Sequence, residues 1–144
     1  MKKILVAVDG TGFSDDVVKT ASKLAKLEKA KLFIVYVFEV PQALPLDAEV
    51  PEESEKADKV LNHAAEIAEE FGLDVEIDMI HARTIGPGIV DEAKDLDIDM
   101  IMIGMSHKPR FGEIFFGSTV NYVLKNSTIP VLLLKETPGD TKHV

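Results

Sequence analysis

Met100-Ile101-Met102-Ile103-Gly104-Met105-Ser106-His107-Lys108-Pro109-Arg110-Phe111-Gly112-Glu113-Ile114-Phe115-Phe116-Gly117-Ser118-Thr119 is the stretch that decides the architecture. An apolar run, Met100 to Ile103, follows Asp99 and reads as a buried strand. Val120-Asn121-Tyr122-Val123-Leu124 reads as a helix, so a strand feeds a loop and the loop feeds a helix. Strand-to-helix loops usually run about 2 to 6 residues, and loops well beyond that are functional or disordered. Phe111, Ile114, Phe115 and Phe116 favour burial over disorder. Gly104 lets another group approach the backbone closely. Gly117-Ser118-Thr119 puts small residues and two hydroxyls at a helix start, where orphan N–H groups and the dipole favour an anion such as phosphate. Lys108 and Arg110 add positive charge. A plain helix cap with a surface turn fits the same residues.

Outward from this stretch, apolar runs alternate with helical stripes. Ile4 to Val8 is a continuous apolar strand closed by Asp9-Gly10. Ser14 offers an N-cap, with Asp15 and Asp16 in the first turn, and Val17, Val18, Ala21, Leu24, Ala25 and Leu27 form an apolar face. Lys31 to Phe38 is the second strand. Pro41, Pro45 and Pro51 mark 39–52 as a mobile loop. Glu52 to Phe71 is a helix stopped by Gly72. Leu73 to His81 alternates apolar with acidic residues, as a strand with one wet face does. Arg83 to Gly88 reads as a turn, and Ile89, Val90, Ala93, Leu96 and Ile98 follow as a helix and its exit. Ile129 to Lys135 is the last strand, with Pro130 at its start, where a missing N–H is tolerated. Residues 137–144 form a polar tail. Continuous apolar strands alternating with helices predict one α/β domain over 1–144, a three-layer α/β/α sandwich on a parallel sheet. In such sheets ligands sit at the carboxyl ends of the strands, at the topological switch point. That places Val8-Asp9 and Gly104 as walls of a site.

Composition narrows the classes. A chain of 144 residues with 46% hydrophobic content is a normal globular domain. A net charge of −9 disfavours nucleic acid and anionic membranes. The absence of cysteine excludes disulfides and thiolate chemistry. Met1-Lys2-Lys3 resembles the start of a signal peptide, but the following apolar run ends at Asp9, too short for that or for a membrane span. A cytoplasmic protein is expected.

Several motifs fail. Gly10-Thr11-Gly12-Phe13-Ser14-Asp15 lacks the third glycine of a dinucleotide fingerprint, and no P-loop occurs. A receiver domain needs an acidic cluster where Asp9 stands alone and an Asp where His81-Ala82 stands. His63, His81, His107 and His143 lack metal-ligand spacing. Ser118 has no local base, so no catalytic set emerges and no enzyme activity is expected. Asp9 fits a turn-capping carboxylate and a ligand contact equally.

The chain nevertheless resembles the universal stress protein family, through Ile4-Leu5-Val6-Ala7-Val8-Asp9-Gly10-Thr11 with Ser14, through Asp99 to Gly104, and through Gly117-Ser118 on to Pro130-Val131-Leu132-Leu133-Leu134. The resemblance implies an adenine nucleotide alpha hydrolase-like fold with strand order 3-2-1-4-5, and a homodimer. One branch binds ATP through Gly-x-x-Gly, nine residues, then Gly-Ser or Gly-Thr. Here Gly104 and Gly117-Ser118 keep that interval, while His107 replaces the second glycine. By the resemblance Val8, Asp9 and Val37 line the adenosine end, and Gly104, His107, Gly117, Ser118 and Thr119 face the phosphates. Ala7, Ile103 and Lys108 complete the expected site for ATP or another adenine nucleotide, with Mg²⁺. If position 107 needs a positive φ, a histidine there is strained by roughly 1 kcal/mol. Arg83-Thr84-Ile85-Gly86 also departs from the family's Gly-x-Pro-Ala. The apolar strand 129–135 is the expected dimer edge. A further protein partner is expected, its identity open.

Overall fold

A computed structural model describes residues 1–106 and 117–137. In chain order it has β1 (Lys3–Ala7), α1 (Gly12–Glu28), β2 (Lys31–Glu39), α2 (Pro51–Glu69) and β3 (Val75–Ala82). After these come α3 (Ile85–Asp95), β4 (Met100–Met105), α4 (Ser118–Asn126) and β5 (Val131–Lys135). The five strands form one parallel sheet in the order β3-β2-β1-β4-β5. The two apolar faces of each inner strand explain the layers. Side chains alternate across a strand, so Ile4, Val6, Leu32, Ile34, Tyr36, Met100 and Met102 pack into one core with residues of α1 and α2. Leu5, Phe33, Val35, Val37, Ile101 and Ile103 pack into the other with residues of α3 and α4. Asp99 secures the lower edge, its Oδ2 accepting from the N–H groups of Lys2 and Lys3 at 2.8 and 2.9 Å.

The helix starts differ from the sequence reading. Ser14 is not the N-cap of α1. The cap is Thr11, and Ser14 is buried inside the helix with its N–H donating to the Thr11 carbonyl at 3.1 Å. Asp9 closes the preceding turn early, so the helix begins before the first acidic pair. The stretch Arg83 to Gly88 is not wholly a turn, because α3 already starts at Ile85. Pro87 falls in its first turn, where the missing N–H has no helical partner to lose. Likewise Pro51 opens α2 at a first-turn position.

Glu39 closes β2, which confines the proline-rich connection to 40–50. Two turns shape it, Leu44 N–H to Pro41 carbonyl and Ala48 N–H to Pro45 carbonyl, each 3.0 Å. Arg83 Nη1 donates to the carbonyls of Pro41 and Leu44 at 2.7 and 2.8 Å, and His81 Nδ1 donates to the Leu46 carbonyl at 2.9 Å. Of the polar tail, 138–144 lies outside the described residues.

Candidate functional site

The sheet has a notch at its upper edge, and strand lengths make it. Ala7, the end of β1, pairs with Val35, while β2 continues four residues further to Glu39. On the other side Val6 pairs with Met102, and β4 continues to Met105. At roughly 3.3 Å per residue, β2 overtops β1 by about 13 Å. Asp9-Gly10 is what stops β1. Gly10 has φ +87°, a left-handed conformation that a glycine adopts without strain, and the chain turns away there. Asp9 Oδ1 accepts both the Thr11 N–H, at 2.9 Å, and the Thr11 hydroxyl, at 2.8 Å. The turn-capping role of Asp9 is therefore present, and its second oxygen has no hydrogen bond among the described residues.

A cavity of about 320 Å³ fills the notch, at the lower end of the roughly 300–1,000 Å³ usual for small-molecule sites. Ala7, Val8, Asp9, Val37, Ile103, Gly104 and Thr119 line it. Gly117 and Ser118 do not border the cavity as the described residues form it. Gly117 is the N-cap of α4 and Ser118 its first residue, one step from Thr119. His107 and Lys108 lie outside the described residues, as do Phe111, Ile114, Phe115 and Phe116. No side-chain cap holds the start of α4 among the described residues, so its N–H groups and positive dipole end stand beside the cavity.

Gly104 has a second reason to be glycine. A Cβ there would lie 2.5 Å from Val17 Cγ2 and 3.3 Å from Phe13 Cε2, both on α1. The missing side chain lets α1 seat against β4, and the same seating brings Phe13 and Ser14 to the cavity wall.

The sequence reading missed a polar corner. Tyr36, from β2, and Lys56, from α2, also line the cavity. The Tyr36 hydroxyl donates to Glu53 Oε1 at 3.3 Å, and Lys56 Nζ stands 5.9 Å from the Tyr36 ring centroid. Burial pushes the Tyr36 hydroxyl pKa up. Hydrogen bonding to Tyr36, then the charge of Tyr36 and of the Glu53 and Asp9 carboxylates, raises that of Lys56. Tyr36 was legible only as a core strand residue. Lys56 sits among Glu53, Ser54, Glu55 and Asp58 and has no local signal at all. Among the described residues no cluster of three carboxylates or histidines could hold a metal, and no helix is long and apolar enough to cross a membrane.

Comparisons with known proteins agree with this geometry. The family model described as "Universal stress protein family" matches residues 1–135. Universal stress protein MJ0531 of Methanocaldococcus jannaschii is 30% identical over 141 residues, covering 94% of this chain and 82% of that protein. A solved universal stress protein from Archaeoglobus fulgidus superposes with a TM-score of 0.81 at 24% identity, covering 94% of this chain and 99% of that one. A structure of the universal stress protein from Archaeoglobus fulgidus in complex with dAMP gives 0.75 at 24% identity, covering 94% and 98%. With the sheet order, the notch above β1 and a family match over nearly its whole length, the chain belongs to the universal stress protein family.

Proposed function

We propose that this chain is a cytoplasmic regulatory protein that binds an adenine nucleotide, ATP foremost, in the cavity above β1. The observation that carries the reading is the convergence of Val8, Asp9, Val37, Gly104 and Thr119, from three strand ends and one helix start, on one cavity at the switch point. The apolar wall of Ala7, Val8, Val37 and Ile103 suits a nucleobase, and the start of α4 suits a phosphate. That a protein of this fold is solved with dAMP supports an adenine ligand. The cavity holds about 320 Å³, so a triphosphate would extend from it past the start of α4. Mg²⁺ would arrive on the phosphates, in keeping with its habit of using few protein carboxylates. Binding of ligand, not turnover, is then the output. Calorimetry with ATP and Mg²⁺ on protein stripped of nucleotide tests this. Saturable one-to-one binding is expected, and no binding at millimolar ATP overturns it.

The protein also pairs through β5, on this reading. Leu132 is 43% exposed on an apolar edge strand, and an uncovered edge of that kind invites strand pairing. A second reading, an interaction module with an empty site, has one observation in its favour: His107 stands where the ATP-binding branch has glycine. His107→Gly separates the two. Tighter ATP binding in the variant means the histidine obstructs the site.

A further inference from the structure

We propose that Lys56 contacts the nucleoside part of the bound nucleotide rather than its phosphates, and that its corner turns away ligands with an additional phosphate on the ribose. The inference rests on the nucleotide reading above and concerns which part of the ligand α2 recognises.

Position separates Lys56 from the phosphate end. Lys56 lies over Tyr36, on β2, and β1 stands between β2 and β4. With strands about 4.8 Å apart, β2 and β4 are roughly 10 Å apart. The phosphate end belongs to the far side, where β4 leads to α4. The two helices also lie on opposite faces of the sheet, since residues of α2 join the core with Tyr36 while residues of α4 join the core with Val37. A ligand lying across the crest of β1 meets α4 at one end and Lys56 at the other.

Charge then decides what Lys56 does there. An unaccompanied lysine at a cavity mouth would make an anion site. This one shares Tyr36 with Glu53, which accepts from the Tyr36 hydroxyl, and lines the same cavity as Asp9, so two carboxylates stand near the one ammonium. A phosphate entering it gains one cation and meets two carboxylates. An ammonium has three donors, and interaction with the Tyr36 hydroxyl occupies at most one of them. The others suit neutral acceptors, which a nucleoside supplies as ring nitrogens and ribose oxygens. Asp9, on the cavity wall, suits its hydroxyl and amino donors.

The test measures affinities of adenosine, AMP and ATP for wild type and Lys56→Met, with thermal unfolding confirming that the exposed substitution leaves the fold intact. The three affinities are expected to fall together, by about tenfold, as for loss of one hydrogen bond from a charged donor. A loss that grows with the number of phosphates would place Lys56 on the phosphates, and no loss would make it a bystander; either overturns the inference. Adenosine 3′,5′-bisphosphate is expected to bind wild type more weakly than AMP, and equal or tighter binding also overturns it. Wild type that binds none of these ligands overturns the nucleotide reading itself and this inference with it. Wild-type binding with the wrong pattern of losses overturns this inference alone.

Discussion

Gly104→Ala separates packing from ligand approach at the position where both meet. The added Cβ would lie 2.5 Å from Val17 Cγ2, closer than real Cβ atoms come to any neighbour. Val17 cannot simply rotate away. It is 1% exposed, and a valine in a helix has one strongly preferred rotamer. Phe13 blocks a second direction at 3.3 Å. Relief must come from a shift of α1 away from β4, and overpacking of this kind costs about 1–3 kcal/mol. For a chain of this size that lowers Tm by about 3–10 °C. Gly12→Ala is the control, since a Cβ there would meet no neighbouring group within 4 Å and the residue sits at the first position of the same helix. Chemical and thermal unfolding of both variants gives the comparison, and ATP titration of Gly104→Ala adds the functional arm. Because α1 also carries Phe13 and Ser14 on the cavity wall, ATP affinity should fall along with stability. Gly104→Ala with wild-type stability refutes the packing argument. Lost stability with unchanged affinity refutes the link between α1 seating and the site.

Three further outcomes are expected. Gly117→Val should weaken ATP binding and leave adenosine binding in place, because bulk at the start of α4 disturbs only the phosphate end; equal effects on both ligands would contradict that assignment. Leu132→Lys should convert a dimer to a monomer in light scattering, whereas Leu133, which packs against the core on the α3 side, is a poor probe because its loss would also harm the fold; a wild-type monomer at micromolar concentration would dismiss the β5 dimer. His63 Nε2 lies 3.0 Å from Asp15 Oδ2, and hydrogen bonding to Asp15, then its charge, raises the His63 pKa. Its folded value lies above its unfolded one, so the pair's stabilisation is fully present below about pH 6.5 and disappears as pH rises through the folded value. An NMR titration should show the His63 pKa returning toward normal in Asp15→Asn, and an unchanged pKa would deny the pairing.

The parts of this structure that were legible from sequence share a physical cause. Strands of a parallel sheet are covered on both faces, so Ile4 to Val8, Leu32 to Phe38 and Met100 to Ile103 appear as unbroken apolar runs that no solvent-exposed element tolerates. Gly72, at φ +76°, stands where a helix stop was expected because few other residues accept that conformation. Helix starts were less legible. Ser14 has the chemistry of a cap, but the cap is decided by where the preceding turn closes, and Asp9 closes it on Thr11. Arg83 to Gly88 reads as a turn until the place of Pro87 in the first turn of α3 is known. Site residues divide the same way. Val8, Asp9 and Gly104 follow from strand ends and so from local pattern. Lys56 reaches the cavity only because α2 crosses back over β2, a relation between segments that no window of sequence contains.

The short β1 is what opens a cavity in a common fold. A central strand as long as β2 would fill the space between β2 and β4 with backbone, and the two cores would meet over its end. Instead Asp9-Gly10 ends it, and the space is bounded by unequal walls. On one side, β2 and α2 supply Tyr36 and Lys56, with Glu53 behind them accepting from the Tyr36 hydroxyl. On the other, β4 and α4 supply small residues and a helix start. Asp9 stands between them: its Oδ1 holds the turn that creates the notch, and the residue itself lines the cavity. Removing the Asp9 side chain therefore cannot be read as loss of a ligand contact alone. The turn that opens the cavity depends on the same carboxylate.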